Sequence, residues 1–432
     1  MLNSIQNDDH LPNDMSDTAS QKCVVIGASH GGINAAFAIR QFGWKGTIEI
    51  YDRSEAFPHQ KPPLSKAYLL GDFPDKMLHL KPDKAYEKSD IRLHLGVSIK
   101  TIDKSEKVLE TSEGTTHYDK LVLATGADAF VPGFAGIEQA TNVFTIRHLP
   151  DSEGLKACVE SFVQQGAKPN VVIIGAGYIG LEAASSLSKS CDVTVLEREE
   201  RVLSRVSAPE ISMFYQKLHS KNGVKIVTGT SVSSISKADG VQSVVCENGK
   251  KYSADIIIVG VGVKVNSDLA ESAGLSIENG IKVNEACQTS DPSIYALGDC
   301  TSHYSFIYDR LLRLESVQNA MDQANVVGMH INGKEAKYDK VPWFWSDQYG
   351  IKLQIVGLLE GYTDVVVRTE PEKTNSLSVW YFNDDQLIAV DAVNQPRAYM
   401  LGMKIIPKKG KVNKSKITSL ATISKPEEIL VS

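Results

Sequence analysis

Short apolar runs that stop at glycine recur along this chain and form a repeating pattern. Cys23-Val24-Val25-Ile26 reads as a strand buried on both faces, and it breaks at Gly27-Ala28-Ser29-His30-Gly31-Gly32. Apolar residues then recur at helical spacing from Ile33 to Phe42, and a second strand, Thr47 to Tyr51, ends at Asp52. Later the same unit returns. Val171-Val172-Ile173-Ile174 is followed by Gly175-Ala176-Gly177-Tyr178-Ile179-Gly180, a helix through Leu187, and a strand, Val193 to Leu196, that ends at Glu197. Leu121-Val122-Leu123 runs into Ala124-Thr125-Gly126, and Ile294-Tyr295-Ala296-Leu297 into Gly298 and the acid Asp299. Gly260 and Gly262 interrupt another apolar run, either where the chain passes close to a ligand or where strand ends pack.

This order of strand, glycine turn, helix and acid has a physical purpose. The first glycine lets the chain turn sharply, and the next lets backbone approach a pyrophosphate. The helix N-terminus then presents N–H groups and a positive dipole end. An acid about twenty residues on can hold ribose hydroxyls. The pattern therefore predicts an α/β protein with two Rossmann-type dinucleotide-binding domains. Glu197 should accept hydrogen bonds from a free 2′-hydroxyl and repel a 2′-phosphate, which favours NADH over NADPH, with Arg198 and Arg201 softening the repulsion. In the first copy Ser29 replaces the middle glycine, so its side chain must point away from the ligand.

Composition narrows the classes. At roughly 150 residues per domain, 432 residues suggest about three domains. Against 52 acidic residues stand 46 basic ones, a formal charge of −6, so no whole-molecule basic field for nucleic acid exists. The longest aliphatic stretch, Ile256 to Val263, holds eight residues, whereas a bilayer helix needs about twenty. Residues 1–20 are polar with early acids and no apolar core, which reads as a disordered leader rather than a signal. Six scattered cysteines without a C-x-x-C pair offer neither a disulfide framework nor a metal knuckle, and point to a cytoplasmic protein.

Taken together, GxSxxG near the start, LVLATG, VVIIGAGYIGLE and IYALGD resemble the two-dinucleotide flavoprotein reductases. Pro62-Pro63-Leu64-Ser65-Lys66, the run Arg313 to Ala320 and Val341-Pro342-Trp343-Phe344-Trp345-Ser346-Asp347-Gln348 are more selective. They resemble the FAD-dependent ferredoxin reductases of bacterial oxygenase systems, the putidaredoxin reductase type. The resemblance implies a glutathione reductase-like pair of domains plus a C-terminal α+β domain. FAD would occupy a discontinuous domain (21–126 and 256–338), NADH the domain 127–255, and residues 339–432 would form an interface domain. It implies Gly27, Ser29, Gly31 and Gly32 at the FAD pyrophosphate, Ala124, Thr125, Gly126 and Gly298 in turns beside it, and Asp299 at the ribityl chain. Lys66, Ile99, Arg147 and Val317 would line the flavin nucleotide, and Trp345 the flavin's edge. Gly175, Gly177, Tyr178, Ile179, Gly180, Glu197 and Gly260 would hold NADH, and Glu315 would meet its carboxamide. Counting back from Pro62–Lys66, the family's ribose acid falls on Arg53, with Asp52 one place earlier and preferred.

Lys66 is the expected catalytic cation near the reduced flavin, and Glu182 its counterion. No cysteine lies between Cys23 and Cys158, which argues against disulfide or peroxide chemistry. Electrons must then leave to an external acceptor, and a [2Fe–2S] ferredoxin is the expected partner. Lys404, Lys408, Lys409, Lys411, Lys414 and Lys416 form an acid-free basic segment that could dock it near Trp345. A ferredoxin-independent NADH oxidase or quinone reductase, and a signalling protein resembling apoptosis-inducing factor, are the alternative readings.

Overall fold

The computed structural model describes residues 18–238, 240–370, 372–419, 423 and 425–431. Most of the expected leader thus lies outside the described residues. Thr18–Ser20 form a 3-10 turn, and Thr18 Oγ1 accepts the Lys45 N–H at 2.9 Å, so the chain is tied down before Gln21.

The first repeat builds a five-stranded sheet in the order Ile294–Ala296, Lys120–Leu123, Lys22–Ile26, Thr47–Asp52, Ile91–Leu95. Its strands pair in parallel, and the central ones are mostly apolar because both faces are covered. The helix after the first strand starts at His30, earlier than Ile33, so Gly31 and Gly32 lie in its first turn. It packs against the helix Val317–Ile331 through Ala35, Ile39, Val327 and Ile331.

A second parallel sheet runs Lys225–Val227, Asp192–Leu196, Asn170–Ile174, Ile256–Val259, Val143–Phe144. The strand Ile256–Val259 pairs with Val171–Ile174, which corrects the expected boundary at residue 255: this strand belongs to the second unit. Between the units the chain crosses twice, as Ala127–Ala129 and Val263–Val265, which pair antiparallel.

The C-terminal sheet is antiparallel, in the order Trp343–Gln348, Ile351–Gly357, Gln386–Val393, Leu377–Asn383, Asp364–Thr369. Strand alternation gives it two apolar faces. Trp380, Phe382 and Val390 pack under the helix Pro396–Ile405, while Val379, Tyr381 and Ile355 join Leu181, Ile211 and Tyr215 of the second unit in one core. No helix among the described residues is long and apolar enough to cross a membrane.

Asp391 is buried in that second contact at 1% exposure. Tyr381 donates its hydroxyl to Asp391 Oδ2 at 2.5 Å, and the Ala208 N–H donates to Tyr381 Oη at 2.9 Å. Burial raises the Asp391 carboxyl to about 7. An unfolded aspartate titrates near 4, so folding takes up a proton here, and this stabilisation is lost as pH rises from about 4 through 7. Asp391→Asn should therefore raise Tm by about 2–5 °C at about pH 8 and by much less near pH 5. Thermal unfolding of both proteins at both pH values checks this; equal differences would contradict it.

Candidate active site

Each glycine turn closes against a neighbouring strand end. Gly27 and Gly175 take φ of +109° and +105°, a region open to glycine. A Cβ there would lie 2.2 Å from the Ala124 carbonyl oxygen and 2.4 Å from that of Gly260, which places Ala124 and Gly260 beside the two turns. Gly32 and Gly180 seat each helix on the carbonyl of its own first glycine, at 1.8 and 2.1 Å from a built Cβ. Ser29 and Gly177 share an extended backbone, with φ −101° and −76°, so a serine fits without strain. The side of Gly177 is open, whereas Gly31 faces Leu297, just past the end of the adjoining strand.

The acids occupy equivalent places. Ile26 pairs with Tyr51 and Ile174 with Leu196, so Asp52 and Glu197 each follow the matched residue. Asp52 Oδ2 accepts the Ala28 N–H and Glu197 Oε2 the Ala176 N–H, both at 2.6 Å. Arg53 instead points outward, with its side chain 62% exposed and ion-paired to Asp128. The geometry thus gives Asp52, not Arg53, the place in the first turn that Glu197 holds in the second.

Beside the first cradle stands a cluster of cations. Lys61 Nζ lies 3.3 Å from His148 Nδ1 and 3.5 Å from His59 Nε2. Burial, and then the Arg147 guanidinium, push the Lys61 ammonium down to about 8. Burial together with Lys61 pushes His30 and His59 down to about 4. Arg147 donates to Asp299 Oδ2 at 2.7 Å and to the Ala127 carbonyl at 2.8 Å. A desolvated ammonium that has no carboxylate within ion-pair distance among the described residues, beside a glycine cradle, fits a diphosphate-bearing cofactor such as FAD.

The three units meet at Glu182, which is 2% exposed on the helix Tyr178–Leu187. Ser65 donates to Glu182 Oε2 at 2.6 Å, and Lys66 Nζ stands 2.8 Å from the same oxygen. Ser346, from the C-terminal sheet, donates to Oε1 at 2.7 Å. The stiff Pro62–Ser65 turn aims Ser65 and Lys66 together, and Ser186 Oγ donates back to the Ser65 carbonyl at 2.9 Å. A buried carboxylate is tolerated when its lone pairs are this fully satisfied.

Other expected residues distribute unevenly around these sites. Thr125 Oγ1 donates to the Asn266 carbonyl at 2.7 Å, Gly126 accepts from the Asn266 N–H, and Gly298 N–H donates to Gln323. Ile99 lies on a separate three-stranded meander, and Val317 opens the helix that packs beside Gly298. Tyr178 packs edge-on against Phe344 at 5.7 Å, while Ile179 is exposed. Trp345 is half-buried, tilted against Trp343 at 5.7 Å. Glu315 is ion-paired to Arg313 at 2.6 Å. In the basic segment Lys414 is engaged by Asp364 at 2.9 Å, while Lys404, Lys408, Lys409 and Lys411 are exposed. Lys61, Ser65 and Ser346 were not singled out from sequence, although each sits inside or beside a quoted motif.

Comparison with known proteins gives two family matches: pyridine nucleotide-disulphide oxidoreductase over residues 21–324, and reductase C-terminal over residues 343–423. The chain is 40% identical to putidaredoxin reductase CamA of Pseudomonas putida, covering 90% of this chain and 92% of that protein. With a rubredoxin-NAD(+) reductase of Pseudomonas putida it shares 37% identity, over 87% of this chain and 96% of the relative. The crystal structure of the covalent putidaredoxin reductase–putidaredoxin complex superposes with a TM-score of 0.86 at 39% identity, covering 91% of this chain and 94% of that one.

An anionic diphosphate would hold Lys61 in its charged form. Affinity of the deflavinated protein for FAD should fall about tenfold between about pH 7 and 9, as Lys61 loses its proton through about 8. Lys61→Gln should bind more weakly at pH 7 and lose that dependence. Flavin fluorescence titrations measure both.

Proposed function

The chain belongs to the pyridine nucleotide-disulphide oxidoreductase family, and on that premise we propose an NADH-dependent ferredoxin reductase, with FAD on the first unit, NADH on the second, and a [2Fe–2S] ferredoxin that serves an oxygenase as acceptor. The observation that carries this reading is the Lys66–Glu182 pair where the three units join. When bound, FAD takes hydride from NADH and releases electrons singly, which suits a one-electron acceptor.

The chain's own residues set the conditions. Glu182 holds Lys66 at a fixed place as an ammonium, which can stabilise negative charge developing beside it. Glu197, at the end of its strand, selects a free ribose hydroxyl. Thiol chemistry is disfavoured because burial pushes Cys23 up to about 12 and Cys191 to about 11, and keeps them protonated. Six free cysteines suit the reducing cytoplasm, where we place the protein.

For the exit we propose the C-terminal unit. Tyr399, Trp343 and Trp345 form an aromatic row, with centroids 5.8 and 5.7 Å apart, from the helix Pro396–Ile405 to the strand beside Glu182. On the same helix Arg397 and Lys404 flank the exposed Met400, a basic and apolar surface suited to an acidic ferredoxin near the Lys404–Lys416 segment.

Anaerobic stopped-flow mixing tests the whole reading. NADH should bleach the flavin rapidly, and a bacterial [2Fe–2S] ferredoxin should reoxidise it fast; reoxidation by rubredoxin alone would replace the partner, and no bleaching would overturn the reading. Lys66→Ala should keep FAD yet slow bleaching about tenfold or more. Glu197→Ala should narrow the preference for NADH over NADPH by about tenfold, read from kcat/KM for each.

A further inference from the structure

The hydrogen bonds that reach Glu182 do not end at Ser346. Ser346 Oγ accepts from Gln348 Nε2 at 3.1 Å, and Gln348 Oε1 lies 2.7 Å from His219 Nε2. On its other side, His219 Nδ1 stands 3.2 Å from the Tyr349 hydroxyl. His219 belongs to the helix Pro209–Lys221 of the second unit, the rest to the C-terminal sheet and its first hairpin turn. Ser346, Gln348 and His219 are 0%, 1% and 0% exposed.

Chemistry gives this chain one direction. Gln348 Oε1 can only accept, so His219 Nε2 carries the proton. Burial pushes the imidazole down to about 4, leaving it neutral at ordinary pH, with Nδ1 bare to accept from Tyr349. The Gln348 amide nitrogen then faces Ser346, whose own proton is left for Glu182. All four bonds donate toward the carboxylate, and bonds aligned head to tail polarise one another. The outer end is held under strain. Tyr349 adopts φ +52° before Gly350 at +73°, a mirror-image hairpin turn where asparagine or glycine is expected. Its N–H donates to Ser185 Oγ at 2.9 Å, and its ring meets His219 edge-on at 5.0 Å.

We propose that His219 is a positioning residue for hydride transfer: through Gln348 and Ser346 it fixes the orientation of Glu182, and hence the place of Lys66. This rests on the reading of Lys66 and Glu182 given above. An amide in the middle of the chain makes it a device for orientation and not a path for protons.

The test uses the flavin-loaded full chain with His219→Leu, Ser346→Ala, their combination, and His219→Gln, whose Nε2 can still donate to Gln348. Anaerobic stopped flow separates the limiting rate of flavin reduction from the NADH dissociation constant. His219→Leu and Ser346→Ala should each lower that rate about three- to tenfold, with the dissociation constant within about twofold. The double variant should be no slower than Ser346→Ala, and His219→Gln should recover the rate to within about twofold. Independently of turnover, 15N-histidine NMR of the unaltered protein should show His219 as the Nε2–H tautomer, without titration between about pH 5 and 8. An Nδ1–H tautomer, additive losses, or wild-type reduction by His219→Leu would overturn the proposal. Should His219→Leu fail to fold, Ser346→Ala and the tautomer decide. Slow reduction by Lys66→Ala with fast reduction by His219→Leu would defeat only this inference; fast reduction by Lys66→Ala would defeat the parent reading and this one with it.

Discussion

A single buried carboxylate organises this molecule. Glu182 lies on the helix of the second dinucleotide unit, and its donors come from the Pro62–Lys66 segment of the first unit and from a strand of the C-terminal sheet. A desolvated charge of this kind costs several kcal/mol when any donor is missing. Its requirement for partners from both other units therefore couples the docking of all three to formation of the Lys66–Glu182 pair. Packing alone could not do this, since apolar contacts between these surfaces tolerate small displacements that hydrogen bonds of 2.6–2.8 Å do not.

The two glycine cradles show how one local solution serves two environments. Both turn on a glycine with positive φ, and both present an acid to the N–H that follows it. They differ in what surrounds them. The first is flanked by Lys61 and Arg147, a local positive field that the chain's net charge of −6 conceals. The second leaves Gly177 open and carries its acid beside Arg198 and Glu199. Net charge speaks to solubility and to the class of partner, whereas ligand binding is set by a few groups within a Debye length.

The C-terminal sheet has two tasks, and strand alternation lets one sheet perform both. Residues such as Trp380 and Phe382 build a core with the covering helix, while Val379 and Tyr381 build another with the second unit. Along the first strand the same period sends Ser346 and Gln348 toward Glu182 and His219, and leaves Trp343 and Trp345 in the aromatic row.

Local spacing determined a great deal here. Apolar runs ending in glycine made the strands and turns legible, because burial on both faces and a backbone with positive φ each restrict the residues allowed. The Pro62–Lys66 segment and Glu182 were legible as motifs, through a resemblance to a known family. Tertiary structure alone decided the rest. Which sheet takes Ile256–Val259 depends on pairing with a strand some way back in the chain, and apolar content is the same in either sheet. Strand register, which no count along the chain supplies, put Asp52 rather than Arg53 at the place equivalent to that of Glu197. Ser65 and Ser346 meet Glu182 across 117 and 164 residues, and a serine's spacing carries no mark of such a partner. Periodicity reports that a side chain is buried; only the packed chain fixes which donor faces which acceptor, because hydrogen bonds depend on tenths of an ångström and on angles that sequence distance does not encode.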